Sequence, residues 1–316
     1  MLKYIEHKIY RYKYLNAPKL NLKSPVDVSL ELSSFCTNSC GYCYHADPKK
    51  LPFTRGKMKK DLAIKIINEA AEIGVHSLKW NYRGEATMNP IFEDVTAFAK
   101  SKAKGLTFID RVLNSNFNFD INREDIFRGL CNQTKVKVSF DSFRKEIFEK
   151  QRKGSNYEKT IANIDKFYNW QGRENALVVQ AVRTTLNADE DLEAEIKKRW
   201  PEAKASIRDV VSGRVEKDIS SIIMKNRDES ERQSCIQAHA RVLVNHDGKV
   251  QMCCPDISSK LLIGDCNKEH LRDIWKSQFA LEMRKALLDK TAFNKNPCRN
   301  CPSFETYKNY VPPKES

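Results

Sequence analysis

The sequence contains no run of 18 or more apolar residues, so it offers no segment with the length and composition of a membrane-spanning helix. Its first residues, MLKYIEHKIYRYKYLN, carry charges where a secretory signal needs an apolar centre. Internal repeats, low-complexity stretches and linkers rich in Pro, Gly and Ser are also missing. These absences predict a globular cytoplasmic protein. In that reducing compartment its ten cysteines are expected to be metal ligands or reactive thiols rather than disulfides.

Positive charge is in excess, with 55 Lys and Arg residues against 41 Asp and Glu residues and a formal net charge of +14. Such an excess favours anionic partners, namely phosphorylated metabolites, nucleotides or nucleic acid. Near the N-terminus, Tyr10, Tyr12 and Tyr14 alternate with Arg11 and Lys13. This period of two predicts a strand. The strand would either flank the main domain or serve as a nucleic-acid-binding arm.

Short β-like runs alternate with longer amphipathic segments through the first two thirds of the chain. The predicted strands are 26–32, 77–82, 108–114, 135–140, 177–184 and 205–211, and clear helical patterns cover 60–72 and 157–170. Six β/α units predict an α/β fold in which a parallel sheet curls into a partial (β/α)6 barrel. The loops at the C-terminal ends of such strands carry the chemistry. The pattern changes near residue 217, which predicts an N-terminal extension over 1–25, a barrel over 26–216 and a small second domain over 217–316.

The segment CTNSCGYC places Cys36, Cys40 and Cys43 directly after the first predicted strand. Thiolates at these intervals can converge on one soft metal centre, and three protein ligands leave one coordination position open. A structural zinc site would instead be closed by a fourth ligand, which His45 is near enough in sequence to supply. The spacing by itself leaves both kinds of site open.

The C-x3-C-x2-C spacing, with Tyr42 just before the third cysteine, closely resembles the radical SAM (S-adenosylmethionine) enzymes. The resemblance implies a [4Fe-4S] cluster on Cys36, Cys40 and Cys43, with Tyr42 beside it, whose open iron binds S-adenosylmethionine. It also implies the family's reaction, in which one electron cleaves S-adenosylmethionine to methionine and a 5′-deoxyadenosyl radical that abstracts hydrogen from a C–H bond. A reducing partner such as flavodoxin or ferredoxin would supply the electron.

The segment WNYRGEATMNP resembles the Gly-Gly-Glu-Pro motif of the same family. The sequence departs from the motif at two positions, with Arg83 in place of the first glycine and Ala86 in place of the proline. Gly84 permits a close backbone approach. Glu85 could accept hydrogen bonds from the ammonium group of the cofactor.

Two further segments resemble cofactor-binding parts of these enzymes. VLNSNF is similar to the family's Thr-Asn-Gly turn, which makes Asn114 and Asn116 candidates for cofactor binding. VKVSFDSFRKEIFEKQRKGSNYEKTIANI resembles a block found in members that carry an extra C-terminal cluster domain. In that block the positions of Ser139 and Arg152 contact the cofactor's ribose and carboxylate, and an arginine is chemically suited to a carboxylate partner.

A second group of cysteines has the pattern C-x17-C, a gap, then C-x2-C; it comprises Cys235, Cys253, Cys298 and Cys301. Four thiolates suit a tetrahedral zinc ion as well as a cluster. The stretch resembles the abbreviated SPASM domain called twitch, which implies one auxiliary [4Fe-4S] cluster on these four residues. The remaining thiols, Cys131, Cys254 and Cys266, are too few for another cluster. A cluster closed by four cysteines suits electron transfer better than substrate coordination.

Secondary structure around this second group follows from two signals. Asp247 and Gly248 form a strong two-residue turn signal, which predicts a hairpin with Cys253 at a strand end. A single amphipathic helix is predicted over 270–288, burying Leu271, Ile274, Trp275, Phe279 and Met283. The histidines at 76, 239 and 246 are interpreted as ordinary core or surface residues.

Together these patterns predict an oxidoreductase that dehydrogenates a small sugar-like or amino-sugar metabolite with the help of one auxiliary cluster. The short chain before the first strand is taken to lack a leader-peptide-binding domain, which favours a small polar or anionic substrate. Epimerisation with Cys254 as hydrogen donor, peptide modification and nucleic-acid modification remain alternatives. If Cys253 and Cys254 share a strand, Cys254 faces away from the cluster, because adjacent strand residues point to opposite faces.

Overall fold

The structure is a computed structural model that describes residues 2–209, 234–294, 298 and 301. The predicted domain boundary near residue 217, the end of the strand predicted at 205–211 and the charged segment 225–233 lie outside these residues. No helix within the described ranges is both long enough and apolar enough to cross a lipid bilayer.

Six parallel strands form the main body of the protein, and each of the first five is followed by at least one helix. The strands are β1 (Asp27–Leu30), β2 (Ser77–Lys79), β3 (Asp110–Ser115), β4 (Lys135–Ser139), β5 (Ala176–Arg183) and β6 (Lys204–Asp209). They pair in sequence order, each parallel to the next. Each predicted strand overlaps an observed one, so the predicted α/β fold with a parallel sheet is confirmed.

Helices cover one side of this sheet, and further helices lie before β1 and after β9. They are α1 (Leu2–Leu15), α2 (Ala17–Leu20), α3 (Lys60–Glu72), α4 (Phe92–Ser101), α5 (Glu124–Cys131), α6 (Lys145–Gln151), α7 (Tyr157–Tyr168), α8 (Leu192–Arg199), α9 (Ile236–Ala240), α10 (Leu271–Trp275) and α11 (Gln278–Leu288). Short 3-10 turns occupy Tyr44–Ala46, Ala86–Met88 and Thr291–Asn294.

The alternation of β1 explains why the sheet has one apolar and one polar face. Val28, Leu30 and Leu32 are fully buried in the main hydrophobic cluster with the helices. The intervening residues of this segment are Asp27, Ser29 and Glu31. Because successive side chains point to opposite faces of a strand, these polar residues face the inside of the barrel. We call this inside space the lumen.

Three C-terminal strands continue the same sheet: β7 (Arg241–Val244), β8 (Lys249–Gln251) and β9 (Leu262–Asp265). β7 pairs in parallel with β1, and β8 and β9 follow in antiparallel order. The hairpin predicted around residues 247 and 248 is therefore present. Its attachment to β1 joins residues more than 200 positions apart in the chain, and no local pattern announced it.

The N-terminal strand prediction is wrong, because the alternating tyrosines lie within helix α1. Tyr10 and Tyr14 are four residues apart and share one helix face. Tyr10 is buried against His76, with ring centroids 6.2 Å apart, whereas Tyr12 is 60% exposed on the opposite side. Burial of this aromatic face against the barrel decides between two patterns that the same residues satisfy.

The single helix predicted over 270–288 is also wrong, since α10 and α11 are separated at Lys276 and Ser277. Ser277 has an extended ψ of 147°, which ends the helical path. Arg284 stabilises the break, because its Nη1 donates to the Trp275 carbonyl at 2.8 Å and its guanidinium lies 3.5 Å from the Trp275 ring centroid. The change of direction leaves Phe279 41% exposed rather than buried.

Candidate functional site

The loop of residues 36–43, called the cysteine loop below, follows the C-terminal end of β1 and rests on the connection between α6 and α7. The Ser39 amide donates to the Lys153 carbonyl at 2.6 Å. Gly154 has a φ of +91°, and a Cβ at this position would lie 2.9 Å from the Thr37 carbonyl oxygen. Glycine thus allows the two segments to touch, in a conformation that other residues rarely adopt.

The thiols of the cysteine loop lie in a largely dry environment. Burial, together with the neighbouring carboxylate of Glu85, raises the pKa of Cys36 to about 12. Burial also raises the pKa of Cys40, although the positive charge of Arg152 partly offsets this effect. Cys43 closes a turn with Cys40, its amide donating to the Cys40 carbonyl at 3.0 Å. Because bare thiolates are unfavourable here, binding to iron is what would keep these sulfurs deprotonated.

Gly84 brings the end of β2 into direct contact with the start of the cysteine loop. A Cβ at Gly84 would lie 2.4 Å from the Ser33 carbonyl oxygen and 2.5 Å from that of Phe35. The Glu85 amide donates to the same Phe35 carbonyl at 2.8 Å. The close backbone approach predicted at Gly84 is therefore present, and its partner within the chain is the segment that leads to Cys36.

Replacing Gly84 with alanine should destabilise the protein by about 1–3 kcal/mol, the usual cost of forcing an atom into occupied space. Gly41→Ala is the matched control, since a Cβ at Gly41 would meet nothing within 4 Å. Thermal unfolding of the reconstituted proteins measures both effects. A Gly84→Ala protein as stable as Gly41→Ala would show that the two backbones separate without cost.

Glu85 is fully enclosed and bonded to its own chain. Its Oε2 accepts from the Asn116 amide at 2.8 Å, and its Oε1 accepts from the Thr87 hydroxyl at 2.9 Å. Burial raises the pKa of Glu85 despite these hydrogen bonds. Asn116 also points its Nδ2 toward the cysteine loop, 2.9 Å from Thr37 Oγ1 and 3.7 Å from Cys36 Sγ. Both predicted residues thus stand beside Cys36, and their contact with a cofactor stays a prediction.

Arg152 has a carboxylate partner within the chain that the sequence did not reveal. Its Nη2 donates to Asp141 Oδ1 at 2.9 Å, and its Nε lies 2.9 Å from Asp141 Oδ2. Tyr42 donates its hydroxyl hydrogen to the same Asp141 carboxylate. Burial alone would lower the pKa of Arg152, but the charge of Asp141 raises it well above the usual value. This buried group fixes the Tyr42 end of the cysteine loop to the end of β4. Only the position of Asp141 just after a strand could have indicated it.

The other predicted cofactor contacts lie on the inner face of the sheet. Asn114 and Lys137 are register partners on β3 and β4, and Ser139 pairs with Gln180 on β5. Asn114 and Ser139 are both half-buried. The structure thus places them at the lumen, near the C-terminal ends of their strands, and their contacts with a ligand remain predictions.

Arg83, which departs from the family motif, forms a buried ion pair at the seam between β2, β1 and the C-terminal hairpin. Its Nε and Nη2 donate to the two oxygens of Glu31 at 2.7 and 2.6 Å. His246, at the hairpin turn, donates its amide to Glu31 at 3.1 Å. Arg83 Nη1 also donates to the Ile257 carbonyl at 3.3 Å. The three charged or polar side chains come from distant segments, so no local pattern could indicate this network.

His45 does not extend the first group of thiols in this structure. Its Nε2 lies 2.7 Å from the Arg83 carbonyl oxygen, and its ring packs against Phe53 with centroids 5.8 Å apart. Burial lowers the pKa of His45, so the ring is neutral near pH 7 and donates to that carbonyl.

The second group of thiols gathers near the N-terminal edge of the sheet. Cys235 precedes α9 and β7, and burial together with the neighbouring Cys301 and Cys254 raises its pKa to about 12. Burial likewise raises the pKa of Cys253 well above its usual value, with the same neighbours contributing. Cys298 joins Cys301 through a hydrogen bond from the Cys301 amide to the Cys298 carbonyl at 3.1 Å.

The premise behind the orientation of Cys254 is wrong, because β8 ends at Gln251 and residues 253 and 254 lie in a turn. The alternation of a strand therefore does not require Cys254 to face away from Cys253. Its thiol donates to Gln237 Oε1 at 2.8 Å, and it contributes to the electrostatic environment of Cys235, Cys253 and Tyr14.

Both groups of thiols have the donor chemistry of iron–sulfur sites. Within the described ranges, no three His, Cys, Asp or Glu side chains are placed to surround one metal ion. A [4Fe-4S] cluster has a different requirement, since cysteines around it are distributed over several iron atoms. Thiolates are the soft ligands that such clusters use. Cys40 is buried and the other six cysteines of the two groups are half-buried, which limits their contact with water. The residues present therefore fit one cluster at the cysteine loop and another at the C-terminal group.

Comparison with known proteins agrees with this arrangement. Residues 235–302 match the SPASM family, described as an iron–sulfur cluster-binding domain. Among solved structures, BtrN in complex with AdoMet and 2-DOIA aligns with a TM-score of 0.56 and 15% identity, covering 87% of this chain and 92% of BtrN. SuiB from Streptococcus suis, bound to S-adenosylmethionine, gives 0.65 and 13%, covering 83% of this chain and 68% of SuiB. Native anSMEcpe with bound AdoMet gives 0.63 and 16%, covering 90% and 88%.

A search of curated protein sequences found no match. The fold and the two cysteine groups define an iron–sulfur protein built on a partial parallel barrel. More specifically, the chain has the fold of these radical SAM structures, and its C-terminal segment matches the SPASM family, so the predicted fold is confirmed.

Proposed function

We propose that the protein is a radical SAM oxidoreductase that dehydrogenates a small polar, sugar-like substrate held in the barrel lumen. When bound, the two clusters and S-adenosylmethionine would supply the removal of one hydrogen atom from a substrate C–H bond and the acceptance of a second electron, while a proton leaves to solvent. The residues of this chain would hold these groups in place, keep water away from them and orient the substrate.

The observation that carries this proposal is the position of the two thiol groups relative to β1. The cysteine loop follows the C-terminal end of this strand, whereas Cys235 lies at the other end, where the Val26 amide donates to the Ala240 carbonyl at 2.9 Å. Residues 26–32 span about 20 Å at 3.3 Å per residue. A substrate in the lumen would thus lie between the site of hydrogen abstraction and the site that accepts the second electron.

The neighbouring structures favour no single substrate class. BtrN is described in complex with 2-DOIA, and SuiB is also described bound to the precursor peptide SuiA. Peptide modification therefore stays the second candidate, favoured by the SuiB likeness. Epimerisation has less support, because the thiol of Cys254 is already bonded to Gln237 beside the C-terminal thiols.

Turnover in deuterated water separates these reactions, using a panel of sugar phosphates, sugar acids, amino sugars and short peptides. Dehydrogenation predicts a product oxidised by two electrons, no solvent deuterium at the reacting carbon, and an active Cys254→Ala variant. Cys298→Ala should form 5′-deoxyadenosine but no final product. The control is Cys131→Ala, which removes a cysteine on α5 that belongs to neither thiol group and should leave product formation unchanged. An inverted product that carries deuterium, and that disappears in Cys254→Ala, would overturn the proposal in favour of epimerisation.

A further inference from the structure

The lumen carries more positive than negative charge along its inner face. Its cations come from several strands, and they influence one another across the open space: Lys79 on β2, Lys135 and Lys137 on β4, Arg208 on β6 and Arg241 on β7. The described carboxylates among them are Asp27 on β1 and Asp110 on β3. Glu31, the third polar residue of β1 and its extension, already accepts hydrogen bonds from Arg83 and His246.

The deep cations of the lumen already have carboxylate partners. Lys79 forms an ion pair with Asp27, whose side chain is fully buried. Arg241 also reaches Asp27, with its Nε 3.4 Å from Oδ1. Lys135 stands 3.9 Å from Asp110. These contacts use both described carboxylates, and none is left for the next layer of the lumen.

Lys137 lies in that next layer and makes no hydrogen bond or ion pair with any described residue. It pairs in register with Asn114 on β3 and Val178 on β5, two residues before Ser139. Burial and the positive charges of Arg208, Lys135 and Lys79 together lower the pKa of Lys137 to about 8, against the opposing effect of Asp110. A half-buried ammonium group among other cations is unfavourable unless an anion binds beside it.

Uncharged polar groups stand on the same inner face. The Oδ1 atom of Asn81, just beyond β2, is buried without a hydrogen-bond partner. Asn114 and Ser139 are half-buried on β3 and β4. Buried polar atoms in a native protein are normally paired. A ligand with hydroxyl groups would supply the missing hydrogen-bond partners.

We propose that Lys137, with Arg208 beside it, binds an anionic group of the substrate, a carboxylate or phosphoryl group, while Asn81 faces its hydroxyl groups. This assignment rests on the proposed function and refines its substrate class. It favours a sugar acid or sugar phosphate over a free amino sugar, because an ammonium group would add to the positive charge of the lumen.

Competitive acetylation of lysines tests the assignment on the reconstituted protein kept anaerobic and without reductant. Acetic anhydride reacts with the neutral amine, so Lys137 should react faster at pH 7.5 than Lys198, which is exposed on α8. Glucose 6-phosphate or glucuronate, at about ten times its dissociation constant, should slow labelling of Lys137 about tenfold, because binding removes that share of free sites. Glucosamine should not slow it, and mass spectrometry of the labelled peptides reports each rate.

A matched pair of charge variants checks the geometry. Arg208→Gln should weaken protection of Lys137 by both anionic sugars, whereas Lys198→Gln, the same loss of charge on the outer surface, should leave that protection unchanged. The difference between the phosphate and the carboxylate sugar identifies which anion the site prefers.

Three results would overturn the assignment: Lys137 no more reactive than Lys198, equal protection by glucosamine, or protection by S-adenosylmethionine but by neither anionic sugar. The last result would mean that Lys137 binds the cofactor rather than the substrate. Because labelling needs no turnover, a two-electron-oxidised product formed by the same wild-type protein after reductant is added reports separately whether the proposed function itself holds.

Discussion

Simultaneous replacement of Cys36, Cys40 and Cys43 with alanine should abolish 5′-deoxyadenosine formation. The same variant should retain about four of the about eight iron atoms expected per chain, because the C-terminal thiols form a separate site. The physical reason is that these three thiols come from one loop, and no other cysteine in the part of the chain that the structure describes belongs to this group. Iron analysis after anaerobic reconstitution, with chromatography of the nucleoside product, measures both quantities.

The matched control for this variant is Cys131→Ala/Cys266→Ala, which removes thiols that belong to neither group. Cys131 is half-buried on α5, and Cys266 is buried after β9. The control should keep the iron content and the nucleoside product of the wild-type protein. Undiminished cleavage in the triple variant, or zinc in place of iron in the wild-type protein, would show that the cysteine loop has another role.

Arg83→Met should lower the free energy of unfolding by about 3–5 kcal/mol, the cost of leaving a buried charge without its partner. The side chains of Arg83 and Glu31 are only 3% and 0% exposed, so water cannot replace the lost ion pair. Removing the charge as well, in Glu31→Gln/Arg83→Met, should recover part of the loss, because no isolated carboxylate remains. Thermal and denaturant unfolding of the reconstituted proteins measure the differences.

Arg128→Met is the control for this experiment, since Arg128 makes a similar two-point contact with Glu93 on the surface, at 2.6 and 3.0 Å. Exposed pairs of this kind contribute about 0–1 kcal/mol. Equal effects of Arg83→Met and Arg128→Met would mean that the buried network contributes no more than a surface pair.

The pH dependence of the Arg83 effect follows from the state of Glu31. Burial raises the pKa of Glu31, but hydrogen bonds from Arg83 and His246 outweigh burial and leave the pKa lowered. The pair therefore contributes stability above the unfolded pKa, near 4.3, and loses it as the pH falls through the folded pKa. In Arg83→Met burial dominates and the folded pKa rises, so the deficit relative to wild type should shrink as the pH is lowered.

The strands and the cysteine ligands could be predicted because their signals are local. The segment around Val28 alternates apolar and polar residues, and the spacing of the thiols needs no knowledge of distant contacts. The alternating tyrosines of α1 fit the period of a strand, but they lie in a helix. The contact between Tyr10 and His76, which local sequence does not show, favours the helix. Local pattern thus gives the element but not always its type.

The remaining features depend on contacts between distant segments. Glu31, Arg83 and His246 meet only because β7 pairs with β1 and the turn after β2 reaches the same seam. Asp141 accepts from Tyr42 and Arg152 only once the cysteine loop rests on the α6–α7 connection. The charge of the lumen likewise appears only when separate strands bring their lysines together.

The central claim is that the cysteine loop holds a cluster with an iron open to S-adenosylmethionine. Electron paramagnetic resonance of the reduced Cys298→Ala/Cys301→Ala variant tests it most directly, because only the first cluster should remain in that protein. Addition of S-adenosylmethionine should change the [4Fe-4S] spectrum, since the cofactor becomes a ligand of the open iron. An unchanged spectrum in the presence of saturating S-adenosylmethionine would contradict the claim. So would a Cys36→Ala/Cys40→Ala/Cys43→Ala protein whose spectrum, after chemical reduction, still changes in the same way when S-adenosylmethionine is added.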